Sequence, residues 1–245
     1  MKWTVLGYQS PYQGPQGATP GYLLEVEGKR ILVDCGSGVL AQLSQYCRPD
    51  QLDAVFLSHL HHDHIADFFV LQYSLLTAKR LGRRSKPLPV FAPLTPEKWG
   101  RLLPYHEHIQ LTEIREGMEV EIDSLKVSFY QTDHGVPCFA MVFTVNGLTT
   151  LYGADSGPKT DWRRMTHRPD LFICEATFLE QNRPKESLGH LSAKQAGEAA
   201  TRIGAKRLLL THFFPEFDPE AVAEEGKASF SGELWIAHCG QVISL

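Results

Sequence analysis

The sequence predicts an α+β protein in which two β-sheets are flanked by helices. Successive apolar runs between residues 109 and 152 are separated only by short turns, of which Asn146-Gly147 is a strong hairpin signal. Strand-like and helix-like segments then alternate toward residue 211. Consecutive antiparallel strands followed by this alternation indicate two sheets with helices packed beside them.

The individual elements follow from apolar periodicity and from turn residues. Strands are predicted where short apolar-rich runs lie between turn signals, over residues 4–6, 22–26, 30–33, 54–57, 87–92, 109–114, 118–122, 125–130, 140–145, 149–152 and 207–211. Helices are predicted from Val39 to before Pro49, over residues 65–79, after Pro96, and from Ser192 to Gly204. Residues 8–21 are rich in Gly and Pro and are expected to form an irregular loop.

Size and composition indicate one ordinary globular domain covering residues 1–245. Hydrophobic residues make up 43% of the chain and charged residues 21%, and the net charge of −4 provides no global basic field for binding nucleic acid. A local 79–86 basic patch contains Lys79, Arg80, Arg83, Arg84 and Lys86. This patch is either a solvated helix end or a surface that steers an anion.

Cysteine usage and the lack of a long apolar run predict a soluble, cytoplasmic protein. The five cysteines are dispersed without a C-x-x-C pair: Cys35, Cys47, Cys138, Cys174 and Cys239. Such a set is typical of reduced thiols in the cytosol. No apolar run approaches the ~20 residues that a membrane-spanning helix needs, so no membrane partner is expected.

A histidine-rich segment, S-H-L-H-H-D-H at residues 58–64, directly follows the predicted strand 54–57. If the extended geometry persists beyond the strand, the first two imidazoles of the H-x-H pattern point the same way, and the Asp-His pair follows in a turn. Neutral imidazole and carboxylate are ligands that suit zinc, and also manganese or iron. The segment is therefore interpreted as a metal site, and the alternative is a solvated His-rich loop.

Three later polar residues, His134, Asp155 and His212, also follow predicted strands. Each lies just beyond the carboxyl end of its strand, which is the usual place for a site in a layered α/β fold. One such histidine is more often a structural residue. Three polar residues in the same topological position, beside a segment already rich in ligands, indicate one shared site.

This series of residues resembles the metallo-β-lactamase superfamily, whose pattern is H-x-H-x-D-H, then a single His, an Asp and a His. Two further segments are similar to motifs of its ribonuclease Z-like, ElaC-related branch. Cys174-Glu175-Ala176-Thr177-Phe178 resembles the H-E-A-T-F segment, and Gly189-His190-Leu191-Ser192-Ala193 resembles the G-H-S-T/L-T-A segment. The resemblance implies the metallo-β-lactamase fold, a four-layer αββα sandwich, for a single hydrolase domain.

The resemblance also implies a site for two divalent metal ions, with zinc as the first choice and manganese or iron as alternatives. One ion would be held by His59, His61 and His134, the other by Asp63, His64 and His212, and both by Asp155. A hydroxide that bridges the ions would be the nucleophile. Asp63 would also accept a proton, and Glu175 would orient His190, which would contact the phosphate or protonate the leaving oxygen. Asp34, after the strand 30–33, is interpreted as a structural carboxylate beside the metals.

The sequence around His190 also suits a phosphate site. Ser192 and Gln195 form a capping-box pattern at the start of a helix, and Gly204 ends that helix. His190 would then lie at a helix N-terminus, whose partial positive charge favours a phosphate. The alternative is a loop histidine without a role.

One difference from ribonuclease Z restricts the range of expected substrates. tRNA-processing members insert a long flexible arm between the single His and the bridging Asp, whereas residues 135–154 leave room here for one hairpin only. Together with the net charge of −4, this argues against tRNA as a partner. A small molecule or short nucleotide, such as a cyclic nucleotide or a short oligonucleotide, is the expected substrate, and the resemblance also allows a homodimer.

The leading prediction is therefore a metal-dependent hydrolase that acts as a phosphodiesterase on a small phosphodiester. Two alternatives keep the fold but change the reaction: a lactonase or thioesterase, and an arm-less tRNA 3′-processing endonuclease. A third alternative is a non-catalytic module that binds metal or nucleic acid. The complete set of seven metal-ligand positions argues against this third alternative.

Overall fold

The structure, a computed structural model, describes residues 1–245 and contains fourteen β-strands and six α-helices. The strands are β1 (Lys2–Gly7), β2 (Gly21–Val26), β3 (Lys29–Val33), β4 (Ala54–Phe56), β5 (Leu88–Ala92), β6 (Ile109–Glu113), β7 (Glu119–Ile122), β8 (Leu125–Gln131), β9 (Phe139–Val145), β10 (Leu148–Tyr152), β11 (Leu171–Glu175), β12 (Arg207–Thr211), β13 (Glu233–Ile236) and β14 (Val242–Ser244). The helices are α1 (Val39–Leu43), α2 (His62–Ile65), α3 (Phe68–Arg80), α4 (Glu97–Gly100), α5 (Ala193–Ile203) and α6 (Pro219–Lys227).

Residues Met1–Ile114 and His238–Ser244 form the first of two compact units. Its mixed sheet has the strand order β14-β1-β2-β3-β4-β5-β6. Neighbouring strands are antiparallel from β14 to β3 and parallel from β3 to β6. Helix α3 contributes Phe68, Leu71 and Leu75 to the same buried core as the strand side chains Leu32 and Val55, because its apolar residues recur at helical spacing.

Residues Arg115–Ala237 form the second compact unit, together with Leu245. Its mixed sheet has the strand order β13-β12-β11-β10-β9-β8-β7. Neighbouring strands are antiparallel from β7 to β10 and parallel from β10 to β13. Helix α5 packs against β11, β12 and α6. A Cβ atom added at Gly197 of α5 would lie 2.5 Å from the Gly226 carbonyl oxygen of α6, so the two helices approach closely only because glycine lies at this contact.

These two seven-stranded mixed sheets, each with its helices, confirm the predicted α+β class with two sheets flanked by helices. The single helix predicted over residues 65–79 is wrong at its start, because α2 ends at Ile65 and α3 begins at Phe68. The backbone between them bonds to Cys35 instead: the Cys35 N–H donates to His64 O (2.8 Å) and the Asp67 N–H donates to Cys35 O (3.1 Å).

The capping box predicted for α5 is confirmed. Ser192 Oγ accepts the Gln195 backbone N–H, the Gln195 side chain accepts the Ser192 backbone N–H, and Gly204 ends the helix with a left-handed backbone. The single domain over residues 1–245 stays a prediction. None of the helices is both long enough and apolar enough to cross a bilayer.

Candidate metal centre

The histidine-rich segment 58–64 follows β4, whose neighbours β3 and β5 run parallel to it. β4 ends at Phe56 and α2 begins at His62, so both imidazoles of the H-x-H pattern lie in the loop between these elements, where the backbone of His61 is still extended. The loop between them nevertheless brings two imidazoles together, since His59 Nε2 lies 3.1 Å from His61 Nδ1. Convergence therefore comes from a loop and a helix N-terminus rather than from alternation along a strand.

Asp34 sets the orientation of two of these rings. Its Oδ1 accepts the Ser58 backbone N–H (2.7 Å), and its Oδ2 accepts the Ser58 hydroxyl (2.8 Å). Because the single hydroxyl proton of Ser58 is donated to Asp34, Ser58 Oγ accepts a hydrogen bond from His59 Nδ1 (3.0 Å). Asp34 Oδ2 also accepts from His64 Nδ1 (2.8 Å). Both rings thus carry a proton on Nδ1, so Nε2 is the nitrogen that could bind a metal ion, which is the usual support for metal-binding histidines.

Asp63 adds a carboxylate to this group. Its Oδ2 lies 3.8 Å from His64 Nε2 and accepts a hydrogen bond from the Ser10 hydroxyl (3.1 Å). A carboxylate oxygen and an imidazole nitrogen at this separation can share one cation. The first unit therefore supplies three imidazoles and one carboxylate, which are His59, His61, His64 and Asp63.

In the second unit, strand direction explains why the later polar residues meet. Strands β10, β11 and β12 are adjacent and parallel, so Asp155, Glu175 and His212 lie at or just beyond the same edge of the sheet. Strand β8 runs the same way as β10, because each is antiparallel to β9, and this brings His134 to that edge as well. The predicted position beyond the carboxyl end of a strand is confirmed for His134, Asp155 and His212, whereas Glu175 is the last residue of β11.

Asp155 lies between two imidazoles. Its Oδ2 is 3.7 Å from His134 Nε2, and its Oδ1 is 3.1 Å from His212 Nε2. All three side chains are almost completely buried. One carboxylate oxygen thus faces each ring, as a carboxylate shared between two cations would require.

The other nitrogens of these rings are held by hydrogen bonds. His134 Nδ1 contacts the Gly189 carbonyl oxygen (3.0 Å), which can only accept, so this nitrogen carries the proton. The Thr177 hydroxyl donates to Glu175 Oε2 (2.5 Å) and therefore accepts from His212 Nδ1 (2.9 Å). His212 Nε2 then presents a lone pair to a carboxylate oxygen, an arrangement that a bound cation stabilises.

Burial lowers the pKa of His134, against the opposing effect of the nearby Asp155 carboxylate. The ring stays neutral to a lower pH than an exposed histidine does. Neutral imidazole is the form that binds metal ions, so the environment favours the ligand over the protonated ring.

Glu175 and His190 form a hydrogen-bonded pair beside this cluster. The buried Glu175 carboxylate accepts from His190 Nδ1 (3.0 Å) and the Ser156 N–H (2.7 Å) through Oε1, and from the Leu191 N–H (3.1 Å) and Thr177 through Oε2. The His190 ring stacks on His212 with a centroid distance of 5.5 Å and keeps part of its surface exposed. Glu175 thus fixes the His190 ring through Nδ1, and the catalytic role of this pair stays a prediction.

These two groups of side chains have the chemistry of a divalent-metal site. Imidazole and carboxylate suit zinc, manganese and iron, and the hydrogen bonds described above prepare unprotonated Nε2 atoms. In the second unit, one ligand atom each of Asp155, His190 and His212 lies within 4.8 Å of the others. The residues fit a metal-dependent site, and the assignment of each ligand to an ion stays a prediction.

Some residues that hydrogen-bond to the candidate metal ligands could not be predicted from the sequence. Ser10 contacts Asp63 across 53 positions of the chain, and Gly189 contacts His134 across 55. The G-H-L-S-A motif at residues 189–193 includes Gly189, but the motif does not predict that the Gly189 carbonyl oxygen contacts His134. No local pattern pointed to Ser10, which lies in the irregular loop.

The 79–86 basic patch lies away from the histidines of the first unit. A cleft of about 530 Å³ is lined by Arg83, Arg84 and Lys86 together with residues that precede β4 and residues at the start of β5 and β6, whereas the histidine segment follows β4. Arg84 donates to the carbonyl oxygens of Asp50 (2.9 Å) and Leu52 (2.7 Å), and Lys79 pairs with Glu107 (2.8 Å). Much of this charge is engaged in surface contacts at the opposite edge of the sheet.

Residues 29–213 match the family model of the beta-lactamase superfamily domain, so the chain belongs to this superfamily. Its fold and its His/Asp groups define it as a metallo-hydrolase of the β-lactamase fold. The chain is 35% identical over 243 residues to the probable metallo-hydrolase YhfI of Bacillus subtilis, covering 99% of each protein. The crystal structure of YhfI has a TM-score of 0.94 at 34% identity, covering 99% of this chain and 98% of that one.

Ribonuclease Z proteins are also relatives. The enzyme of Archaeoglobus fulgidus is 24% identical over 294 residues, covering 96% of this chain and 94% of its own length. The short form of human tRNase Z has a TM-score of 0.74 at 21% identity, covering 100% of this chain and 99% of that one, which shows a shared fold. The predicted resemblance to the metallo-β-lactamase superfamily, with a ribonuclease Z-like branch, is confirmed.

Proposed function

We propose that this metallo-hydrolase is a dinuclear phosphodiesterase that acts on a small phosphodiester, a cyclic nucleotide or a short oligonucleotide. The observation that carries the proposal is the Glu175–His190 hydrogen bond of 3.0 Å beside Asp155 and His212. The alkoxide leaving group of a phosphodiester benefits from a proton donor, and so does that of a carboxylic ester. The preference for a phosphodiester therefore rests on the resemblance of the segments that carry Glu175 and His190 to motifs of the ribonuclease Z-like branch.

In this proposal the ions, zinc first and manganese or iron as alternatives, are held by seven side chains. His59, His61 and His134 would hold one ion, Asp63, His64 and His212 would hold the other, and Asp155 would bind both. When bound, two divalent ions supply Lewis acidity and an activated water for attack on phosphorus.

The chain itself supplies proton transfer and orientation. Asp63 accepts the proton of the attacking water, and the Ser10 hydroxyl holds its carboxylate in place (3.1 Å). His190 Nε2 contacts the phosphate or donates a proton to the leaving oxygen, while Glu175 fixes the ring through Nδ1. Helix α5 begins three residues after His190, and its N-terminal N–H groups favour negative charge nearby.

The size of the substrate follows from what lies between His134 and Asp155. Residues 139–152 are occupied by the β9–β10 hairpin, which leaves no room in this interval for an arm that could hold tRNA. The net charge of −4 also gives little support for a long polyanion. We therefore propose a small or short nucleotide substrate rather than tRNA.

We also propose that the protein works in the cytoplasm. All five cysteines are free, and four of them are buried. A protein of this size with unpaired thiols suits a reducing compartment. A homodimer remains a proposal that rests on the family resemblance.

Metal analysis of the purified protein, combined with a panel of phosphodiesters, lactones and thioesters, tests the proposed function. We expect two equivalents of divalent metal and phosphodiester hydrolysis that is abolished by a chelator. His190→Ala should lower kcat for the phosphodiester by roughly 10²-fold or more, the size of a general acid contribution. His167→Ala, at an exposed histidine of the same unit, is the matched control.

Two outcomes would contradict this proposal. Faster hydrolysis of a lactone or thioester, unchanged in the His190→Ala variant, would point to an esterase of the same fold. Equal binding of RNA by metal-free and metal-loaded protein, without any hydrolysis, would point to a binding module.

A further inference from the structure

We propose that Phe178, Phe214 and Phe217 form a stacking subsite for a nucleobase next to His190. This inference rests on the proposed phosphodiesterase function and specifies its substrate: a phosphodiester that carries one aromatic base. The three rings and His190 all belong to the second unit. The rings of Phe178, Phe214 and Phe217 are called the phenylalanine row below.

The phenylalanine row starts at the proposed proton donor and leads away from it. The Phe178 ring meets the His190 ring edge-on, with a centroid distance of 6.2 Å and an interplanar angle of 82°. The ring centroid of Phe214 lies 6.2 Å from that of Phe178, and the ring centroid of Phe217 lies 5.3 Å from that of Phe214. A substrate whose phosphate contacts His190 would therefore have aromatic side chains within reach of its other end.

All three rings are partly exposed, whereas the neighbouring Phe213 is almost completely buried. Leaving apolar area in water is unfavourable, at about 25 cal/mol per Å². Covering these faces with a planar ligand would recover that free energy.

The backbone holds the phenylalanine row in position before any ligand binds. The Phe178 N–H donates to Leu191 O (3.1 Å), and the Ala193 N–H donates to Phe178 O (2.9 Å). The Phe217 N–H donates to Phe214 O (3.1 Å), and Asp218 then caps helix α6. A pre-formed aromatic surface loses little conformational entropy on binding, which favours affinity.

The chemistry of the row identifies the class of ligand. Phenylalanine offers a π-face but no hydrogen-bonding group, so it stacks on any base without distinguishing purine from pyrimidine. Three exposed acidic residues lie within three positions of Phe217 in the chain, and their negative charge disfavours further phosphates nearby: Glu216, Asp218 and Glu220. The row therefore favours a mononucleotide with a single phosphodiester over a longer nucleic acid.

A matched pair of substrates tests this inference. Adenosine 3′,5′-cyclic phosphate and methyl β-D-ribofuranoside 3′,5′-cyclic phosphate share the same cyclic phosphodiester and differ in whether a base is present. Ring opening is followed by ³¹P nuclear magnetic resonance. We expect wild-type kcat/KM to be at least about fivefold higher for the substrate with the base, because stacking of one base on an aromatic side chain has an effect of this size or larger.

Substitutions in the phenylalanine row test whether these rings cause the preference for the base-containing substrate. Phe214→Leu and Phe217→Leu keep the apolar volume but lose the π-face, and each should raise KM for the base-containing substrate by about fivefold or more. Neither should change KM for the base-free substrate by more than about twofold. Phe214→Tyr should retain the wild-type preference, and Tyr73→Leu, at an exposed aromatic of the first unit, is the control.

The outcomes separate this inference from the proposed function. If the wild-type protein hydrolyses both cyclic phosphates with the same KM, or if the leucine variants affect both equally, the base subsite is wrong while the phosphodiesterase stands. If no phosphodiester is hydrolysed, both proposals fail. Calorimetric binding of adenosine 5′-monophosphate and of ribose 5-phosphate to the metal-loaded wild-type protein needs no variant, and equal affinity would also overturn the subsite.

Discussion

Asp34 is buried and adopts a left-handed backbone with φ of 58°, a conformation that aspartate tolerates better than most residues. Its two oxygens accept from Ser58 and His64 and so determine which nitrogen of His59 and of His64 is unprotonated. Thr177 has the same role for His212 in the second unit. At the scale of single residues, ring orientation is set by groups that do not themselves belong to the proposed ligand set.

Replacing Asp34 with asparagine should weaken metal binding. Either orientation of the amide turns an NH₂ group toward a donor, because both oxygens of Asp34 accept hydrogen bonds. We expect the affinity for zinc, measured by competition with a chelator, to fall roughly 10- to 100-fold in Asp34→Asn. Asp123→Asn, in an exposed turn, is the isosteric control. Unchanged affinity in a folded Asp34→Asn protein would show that this carboxylate does not orient the ligands.

At the scale of elements, strand direction and helix packing determine where the polar residues meet. Parallel pairing of β10, β11 and β12 brings Asp155, Glu175 and His212 to one sheet edge. Helix α5, which begins just after His190, is held against α6 at Gly197 and Gly226. Close helix packing therefore positions the segment that carries the proposed proton donor.

Gly197→Ala tests this helix contact. The new methyl group would lie 2.5 Å from a backbone oxygen, which cannot move aside by a side-chain rotation. Overpacking of this kind costs about 1–3 kcal/mol, which exceeds or offsets the gain of roughly 1 kcal/mol in helix propensity. We expect urea unfolding to show a net loss of about 1 kcal/mol, and Glu198→Ala, at the exposed neighbour, to stay within about 0.5 kcal/mol of wild type. A more stable Gly197→Ala protein would contradict the close approach.

At the scale of the whole molecule, the proposed ligands are divided between the two compact units. His59, His61, Asp63 and His64 belong to the first, and His134, Asp155 and His212 belong to the second. If both groups bind the same ions, metal binding is coupled to the folded state of both units. The stability of the protein should then depend on the concentration of free metal.

Removing the metal should therefore lower the melting temperature. With free zinc at about 100 times Kd, each bound ion adds roughly 2.7 kcal/mol, which corresponds to a shift of about 5–10 °C for a chain of this size. Scanning calorimetry with and without a chelator measures the shift, and added zinc should restore it. A double His59→Ala, His212→Ala variant should show little response. Identical melting temperatures for wild type in both conditions would exclude a stabilising metal site.

The sequence by itself determined the α+β class, most strands and the position of the polar residues after strand ends. These are local properties: apolar runs, turn residues such as Asn146-Gly147, and the capping pattern of Ser192 and Gln195 depend on neighbours in the chain. The break between α2 and α3 escaped this reasoning, because the backbone there is hydrogen-bonded to Cys35, about thirty residues earlier.

Only the tertiary structure decided which nitrogen each imidazole presents and which groups support it. The supporting contacts join residues that are far apart in the chain. Ser10 and Asp63 are 53 positions apart, Asp34 and His64 are 30 apart, and Gly189 and His134 are 55 apart. Local periodicity carries no information about such pairs, since they form only when strand order and direction bring distant loops to one sheet edge. Hydrogen bonds act over about 3 Å, so their partners are known only once the chain has folded.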